Sequence, residues 1–438
     1  MSIKTTVIGT GYLGLTHAVC LADAGHDVLG LDVDDTKVAM AARGETPFFE
    51  PGLEELLRKN LEAGRLRFTT SFADAGAFGD VHFLCVGTPQ AQGGQADLSY
   101  LYAAASALAP HLRKECLVVG KSTVPVGTAR KVRDTVRELA PVAEGADLAW
   151  NPEFLREGRA VQDSLVPDRL VFGVTGDAAA DRLRAVYAPQ LAAGTPALVM
   201  DLETAELVKV SANAFLATKI SFINVMAEVC EAAGADVIKL AEALGHDERI
   251  GRKFLSPGLG FGGGCLPKDI RAFGATAATL GVDSLVSLLD VVDTVNLGRR
   301  DRVTSLARQV VGGQVAGKRI AILGIAFKPD SDDIRDSPSL DIAERLAAEG
   351  ASLSIHDPVA GPNAARKCPE LTYARSVSEA VDGADLVLHL TEWADYRAID
   401  PAALAEIVKQ PVIIDARCAL DAQMWREAGW VMHVLGRP

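Results

Sequence analysis

The chain has 438 residues, 49% apolar and 23% charged, with 44 basic against 57 acidic side chains and a formal net charge of −13. That length exceeds one ordinary core and predicts two or three domains, while the acidic balance argues against a general nucleic-acid binder but not against small anionic ligands held by local donors. Seven scattered cysteines with no CxxC pair argue against a disulfide framework or a structural zinc site, and no uncharged tract is long enough to span a bilayer.

The first seven residues carry no signal-peptide pattern, so the cytoplasm is the expected compartment. Residues 4–9 read as a short buried strand, residues 10–14 open a helix, and residues 28–32 form the next strand. Gly9, Gly11 and Gly14 thus form a GxGxxG turn between strand and helix, with Asp32 closing the second strand. In that context the glycines let a pyrophosphate reach the helix N-terminus. Asp32 would accept hydrogen bonds from the adenine ribose and repel a 2′-phosphate, favouring NAD over NADP. FAD or a purely structural turn are the alternatives. Later strands at 81–86 and 117–120 run into Thr88 and Thr123, at the strand ends where open α/β sheets place ligands. Either threonine could equally cap a helix. Apolar runs alternating with helical patterns predict a parallel sheet covered on both faces, in a domain reaching to about residue 200. Within it, Asn151-Pro-Glu153 to Glu157 and Gly158 combines constrained backbone with two carboxylates, and could also be a turn into a solvated helix.

Asp201 caps a long helical pattern that meets no proline before Gly234. Lys209 and Asn213 are i and i+4 on it, and Asn224 returns to the same face three turns on. A cation and an amide on one stripe suggest stabilisation of a developing oxyanion, or simply an exposed polar face. The segment to about residue 300 is predominantly helical and contains GLGFGGGCLPKD (258–269). Its glycines exclude ordinary helix or strand, and Pro267 suits a first helical turn, placing Cys265 just before a helix N-terminus that favours the thiolate. A buried, inert cysteine is the alternative. Strands at 318–323, 353–357, 386–390 and 412–415 then repeat the opening pattern without GxGxxG, so this domain is expected to bind something other than a dinucleotide. Lys328 and Arg335, in the loop after its first strand, could hold phosphates or lie on a solvated charged loop.

The segments STVPVGT (122–128), NPEFLREG (151–158), NAFLATKISFIN (213–224), DERIGRKFL (247–255), GFGGGCLPKD (260–269) and FKPDSDDIRDSP (327–338) together resemble the UDP-glucose 6-dehydrogenase family of nucleotide-sugar dehydrogenases, over nearly the whole chain. The resemblance implies an α/β fold. A Rossmann-like NAD domain would occupy 1–200, a central long-helix dimerisation region with the catalytic cysteine loop 201–300, and a Rossmann-like UDP-binding domain 301–438. It implies oxidation of the sugar C6 from alcohol through aldehyde to carboxylate with two NAD⁺. Cys265 would be the nucleophile and Lys209 and Asn213 the oxyanion pair. Glu153 and Asp269 would be the acid/base and water-positioning carboxylates, with Thr123 nearby. Cofactor contacts would come from Gly9, Gly11, Tyr12, Leu13, Gly14, Asp32, Lys37, Thr88, Thr123, Glu157 and Arg335. Substrate contacts would come from Glu153, Phe154, Leu155, Lys209, Asn213, Phe254, Gly262 and Lys328, with Arg249 reaching the neighbouring subunit of a homodimer. Arg417 lies where the family often has a nucleotide-binding arginine.

Four positions depart from the pattern. Gly264 replaces a common serine, Val225 an acidic residue that Glu228 could replace, Ser256 a lysine, and Cys418 a residue that is basic in some relatives. GDP-mannose or a UDP-N-acetylhexosamine as substrate, or a non-catalytic NAD-binding protein, are the rival readings.

Overall fold

The computed structural model describes residues 2–437, which divide into two compact units, one ending at Ala212 and the other starting at Asn213. The first is built on eight strands: β1 (Lys4–Ile8), β2 (Asp27–Leu31), β3 (Leu66–Thr69), β4 (Val81–Leu84), β5 (Cys116–Gly120), β6 (Ala146–Trp150), β7 (Leu170–Gly173) and β8 (Ala197–Met200). Their spatial order is β3-β2-β1-β4-β5-β6-β7-β8. The first six are parallel, in the order of dinucleotide-binding sheets, which reverses between β1 and β4. Neighbouring residues of a strand face opposite ways. Val7, Val28, Phe83 and Leu117 therefore enter one core, and Ile8, Leu31, Leu84 and Val118 another on the far face. Polar residues inside the sheet survive by pairing: Thr6 Oγ1 lies 2.7 Å from His82 Nδ1, directly across the β1–β4 ladder.

The wholly parallel expectation fails at one seam. β7 meets β6 antiparallel, through Trp150 and Gly173, and β8 then runs parallel to β7. Between β6 and β7 the chain passes through irregular backbone at 151–156 and a single helix, Ala160–Leu165, of 6 residues.

Asp201 caps the next helix as expected, its Oδ1 accepting the Thr204 N–H at 2.8 Å. The helix Leu202–Ala233 runs 32 residues through the boundary between the units. Among the described residues it is the one helix long and apolar enough to cross a membrane, at a mean hydropathy of 1.3. Several of its side chains belong to protein cores: Ile223, Ala227 and Cys230 pack with Val237, Ala241 and Leu255. Phe215, Phe222, Val225 and Val229 lie exposed.

In the second unit the helices Leu266–Thr279 and Asp283–Val310 precede five parallel strands, β9 (Arg319–Leu323), β10 (Ser352–His356), β11 (Leu386–His389), β12 (Val412–Asp415) and β13 (Val431–Val434), in the order β10-β9-β11-β12-β13. The first four are the strands expected from sequence, and β13 is an addition. Their core also takes in Leu259, Val303 and Ala307. The start of the glycine loop and the end of the long helix Asp283–Val310 are thus built into this sheet's packing.

Candidate active site

At the end of β1 the chain turns at Gly9, φ +90°, into the helix Tyr12–Asp23. A Cβ on Gly14 would stand 1.7 Å from the Gly9 carbonyl oxygen, so only glycine lets this helix lie against the turn. A Cβ on Gly11 would meet nothing within 4 Å, and the helix start behind it has no side-chain cap. Its N–H groups are therefore available to a pyrophosphate. Asp32 is buried just after β2. Its Oδ2 accepts from Thr10 N (2.7 Å) and Thr10 Oγ1 (3.1 Å), and its Oδ1 from Asp34 N (3.1 Å). A carboxylate offers about four acceptor positions, so ribose hydroxyls can join these donors. The turn, the uncapped helix and the oriented carboxylate fit NAD. Lys37 follows, half-buried, on the helix Asp35–Ala42 that Asp34 caps.

Tyr12 has a partner that the sequence reading missed. Its hydroxyl donates to Glu50, whose carboxylate also accepts from Gly158 N and Ala160 N, both at 2.7 Å. Burial, then Glu50, push the Tyr12 hydroxyl pKa up, so it stays a donor. Glu50 thereby fastens the glycine turn to the end of the 151–158 segment.

Thr88 and Thr123 come together: Thr88 Oγ1 donates to the Thr123 carbonyl at 2.9 Å, beyond the ends of β4 and β5. Neither caps the next helix, since those caps are Leu98 and Gly127. Gly127 N and Ala129 N instead donate to Glu206 at 2.7 and 2.6 Å. Burial raises the Glu206 pKa to about 7.

The 151–156 segment is irregular backbone rather than a solvated helix. Buried Lys121 donates to Asn151 Oδ1 at 2.9 Å, and Tyr187 Oη donates to the same atom at 2.6 Å. Asn151 Nδ2 donates to the Val171 carbonyl. Burial lowers the Lys121 pKa to about 8. With Asn151 so fixed, Glu153 Oε2 accepts from Leu155 N (2.6 Å), and its Oε1 lies 3.1 Å from Lys209 Nζ, both side chains largely buried. The Phe154 ring lies 3.9 Å from the Arg169 guanidinium and 5.6 Å from Lys209 Nζ. Glu157 is half-buried at the segment's end.

In the second unit Cys265 is the N-cap residue of the helix Leu266–Thr279, with proline in the first turn, and of the seven cysteines it is the exposed one. That end of a helix favours a thiolate. Asp269 N donates to the Cys265 carbonyl at 2.9 Å, and the Asp269 carboxylate is 2% exposed. It accepts from Asn213 Nδ2 (2.7 Å) and Lys268 Nζ (2.6 Å). Asn213 and Asp269 are therefore one hydrogen-bonded pair.

The loop before Cys265 is pinned along its length. Gly258 N donates to Asn224 Oδ1 (2.8 Å), and the Gly258 carbonyl accepts from Arg299 Nε (3.0 Å). Phe261 N donates to Asn296 Oδ1 (2.7 Å), and its carbonyl accepts from Asn296 Nδ2 (3.0 Å). Gly263 N donates to the Arg335 carbonyl (2.9 Å). A Cβ on Gly262 would lie 2.3 Å from the Asp336 carbonyl oxygen, so this crossing needs glycine. Asn224 thus anchors the loop, and Glu228 pairs with buried Arg299 at 2.8 Å.

Arg335 pairs with Asp333 at 2.7 Å, and its guanidinium fills the space a side chain on Gly264 would take, 2.3 Å from the added Cβ. Lys328 Nζ sits 5.3 Å from the Phe327 ring centroid. Phe254 is held at φ +64°, rare for a bulky residue. Arg249 projects from its turn 88% exposed, paired with Asp247. After β10, Asp357 occupies the place that Asp32 has after β2, but its carboxylate accepts from Ile325 N, Ala326 N, Val359 N, Ala360 N and Trp393 Nε1. So heavily engaged, it has little capacity left for ribose hydroxyls.

Residues 3–191 match the NAD binding domain of the UDP-glucose/GDP-mannose dehydrogenase family, residues 203–297 its central domain and residues 321–422 its UDP binding domain. The chain is 42% identical to a UDP-glucose 6-dehydrogenase of Rhizobium meliloti over 439 aligned positions, covering 100% of both proteins. It is 40% identical to one of Pseudomonas aeruginosa, over 100% of this chain and 98% of that one. A solved UDP-glucose dehydrogenase from Pyrobaculum islandicum superposes with a TM-score of 0.92 at 37% identity, over 100% of this chain and 98% of that one. A UDP-D-ManNAc dehydrogenase from Pyrococcus horikoshii superposes at 0.85 and 25% identity, over 99% of each. With its glycine turn, paired carboxylates and helix-capping cysteine on two Rossmann-like sheets, the chain belongs to the UDP-glucose/GDP-mannose dehydrogenase family.

Proposed function

We propose that this protein is a cytoplasmic, homodimeric, NAD-dependent dehydrogenase that oxidises UDP-glucose twice at C6 to UDP-glucuronate. The observation that carries the chemistry is Cys265, exposed at a helix N-terminus one turn before a buried carboxylate that already holds Asn213. The choice of UDP-glucose rests on relatives of that name aligned along the whole chain. In this reading residues 1–200 bind NAD, 201–300 carry the cysteine loop and dimer contacts, and 301–438 bind the uridine diphosphate.

Gly9, Gly11, Tyr12, Leu13, Gly14, Asp32 and Lys37, with Thr88, Thr123, Glu157 and Arg335, would hold NAD⁺, which would supply the hydride acceptor for each of the two oxidations at C6. Lys328, Gly262, Phe254, Phe154 and Leu155 hold and orient the substrate. Glu153 and Asp269 take up and return protons through water, and Thr123 positions that water. The Lys209 ammonium and the Asn213 amide stabilise negative charge on the C6 oxygen. The Cys265 thiolate adds to the aldehyde carbon, forming a C–S bond. The resulting thiohemiacetal is oxidised to a thioester. Water then attacks the thioester carbon, the C–S bond breaks, and sulfur leaves as thiolate.

Dimerisation is supported by an uncovered apolar stripe, Phe215, Phe222, Val225 and Val229, with Leu288 and Val291 exposed on the helix Asp283–Val310. Arg249, so exposed in its own chain, would serve the partner's substrate.

NADH formation from UDP-glucose, GDP-mannose and the UDP-N-acetylhexosamines tests the substrate. UDP-glucose is expected to give the highest kcat/KM, with two NADH per UDP-glucuronate and no free aldehyde. A higher kcat/KM with another sugar nucleotide would reassign the substrate and keep the chemistry.

A further inference from the structure

We propose that Arg417 is a positioning residue that couples the loop carrying Lys328 to the loop carrying Cys265, so that nucleotide binding sets the reactivity of the nucleophile. The inference rests on the proposed roles of Lys328 and Cys265.

The Arg417 side chain is 10% exposed, and each of its three nitrogens donates to a protein carbonyl. Nε donates to Leu390 O at 2.7 Å, just past β11. Nη1 donates to Gly260 O at 3.2 Å, in the cysteine loop, and Nη2 to Phe327 O at 3.0 Å, the residue before Lys328. One planar guanidinium thus joins three separate segments in fixed directions, which a lysine ammonium could not reproduce. A carboxylate, Glu392, lies 3.3 Å from Nε and balances the charge.

The turn that presents Arg417 is itself fixed. Asp415 accepts from Arg417 N (3.0 Å), Ala419 N (2.8 Å) and Leu420 N (2.9 Å), and lies 2.8 Å from His389 Nδ1 in a fully buried pair. On the cysteine side, a Cβ on Gly258 would stand 2.9 Å from the Ala416 carbonyl, so the two backbones are in direct contact. Cys418, at φ +53°, turns its thiol to the Leu435 carbonyl at 3.1 Å. A shift of Phe327 on binding a uridine diphosphate would be passed through this guanidinium to Gly260, five residues before the nucleophile.

The test uses the full chain as wild type, Arg417→Met and Arg417→Lys. UDP affinity is measured by calorimetry, and iodoacetamide alkylation of Cys265 by intact mass with and without UDP. UDP lacks the sugar, so any direct shielding of the thiol persists in the variants, while coupling through Arg417 does not. In wild type, saturating UDP is expected to change the alkylation rate by about fivefold or more. In Arg417→Met the change is expected to fall below about twofold, with UDP affinity held within about threefold of wild type and NAD⁺ affinity unchanged. Arg417→Lys, the milder variant should methionine prevent folding, is expected to lie between. An equal UDP effect in wild type and both variants, or none in wild type, would overturn the coupling. A UDP affinity lowered by tenfold or more in both variants would make Arg417 a ligand and equally overturn it. Failure of UDP to bind wild type would instead refute the nucleotide-binding reading on which the proposal rests.

Discussion

Lys209 and Glu153 are worth more to each other than to the fold. Two charges taken out of water together hold because each neutralises the other, and removing one strands its partner. Lys209→Met is therefore expected to destabilise the protein by about 3 kcal/mol, as well as abolish turnover. Adding Glu153→Gln should recover most of that stability and none of the activity. Urea unfolding of the single and double variants checks this, and simple additivity would mean the pair does not interact. Asp32 yields a second residue-scale prediction. Asp32→Asn keeps an acceptor for the Thr10 donors but removes the charge facing a 2′-phosphate, so the NAD⁺/NADP⁺ ratio of kcat/KM should narrow by about tenfold. An unchanged ratio would place cofactor discrimination elsewhere. Asp32, Cys265 and Asp269 were legible in the sequence because each sits in a local motif. Glu50 and Lys121 were not, because their partners, Gly158 at a separation of 108 and Asn151 at 30, adjoin them only after folding. Asn224 was legible as part of a polar helical stripe, but the backbone it serves was not.

At the scale of elements, the helix Leu202–Ala233 does two jobs one turn apart. Glu206 holds the start of the helix Thr128–Leu139, and Lys209 meets Glu153. Burial sets the Glu206 pKa near 7, above its ordinary value of 4.5. Between those values the folded protein keeps a proton that the unfolded chain has released, so this group's contribution to stability falls as pH rises through that window and is flat above it. Glu206→Gln should remove that slope, which is worth roughly 2–3 kcal/mol between pH 5 and 8. Urea unfolding at both pH values tests it, and identical slopes would acquit Glu206. The helix was readable from its cap and its freedom from proline, and most strands from continuous apolar runs. The reversal at β7 was not readable, because its pairing with β6, Trp150 with Gly173, joins residues that only folding brings together. Nor does apolarity alone tell Ile223, in the core, from Phe215, at the surface.

For the whole molecule, the two Rossmann-like sheets were legible as repeated strand patterns, but the way the second one closes was not. Because Leu259, Val303 and Ala307 share a core with β9–β13, a cut near residue 312 would open that core. Nucleotide binding is better tested in the full chain with Lys328→Ala, which should lose UDP-glucose affinity and keep NAD⁺ affinity. Equal UDP-glucose affinity in that variant would exclude Lys328 as a ligand. Dimerisation is testable the same way. Val225→Asp places a charge in the exposed apolar stripe and should give a folded monomer by analytical ultracentrifugation, inactive because Arg249 no longer reaches a partner. A fully active monomer would contradict that role. The central claim, that Cys265 carries the sugar through the second oxidation, is tested most directly by mass spectrometry of Asp269→Asn during turnover with UDP-glucose and NAD⁺. With the buried carboxylate made neutral and thioester hydrolysis slowed, a substrate-derived adduct is expected on the peptide containing Cys265. An adduct on any other residue, or none while UDP-glucuronate still accumulates, would contradict the account.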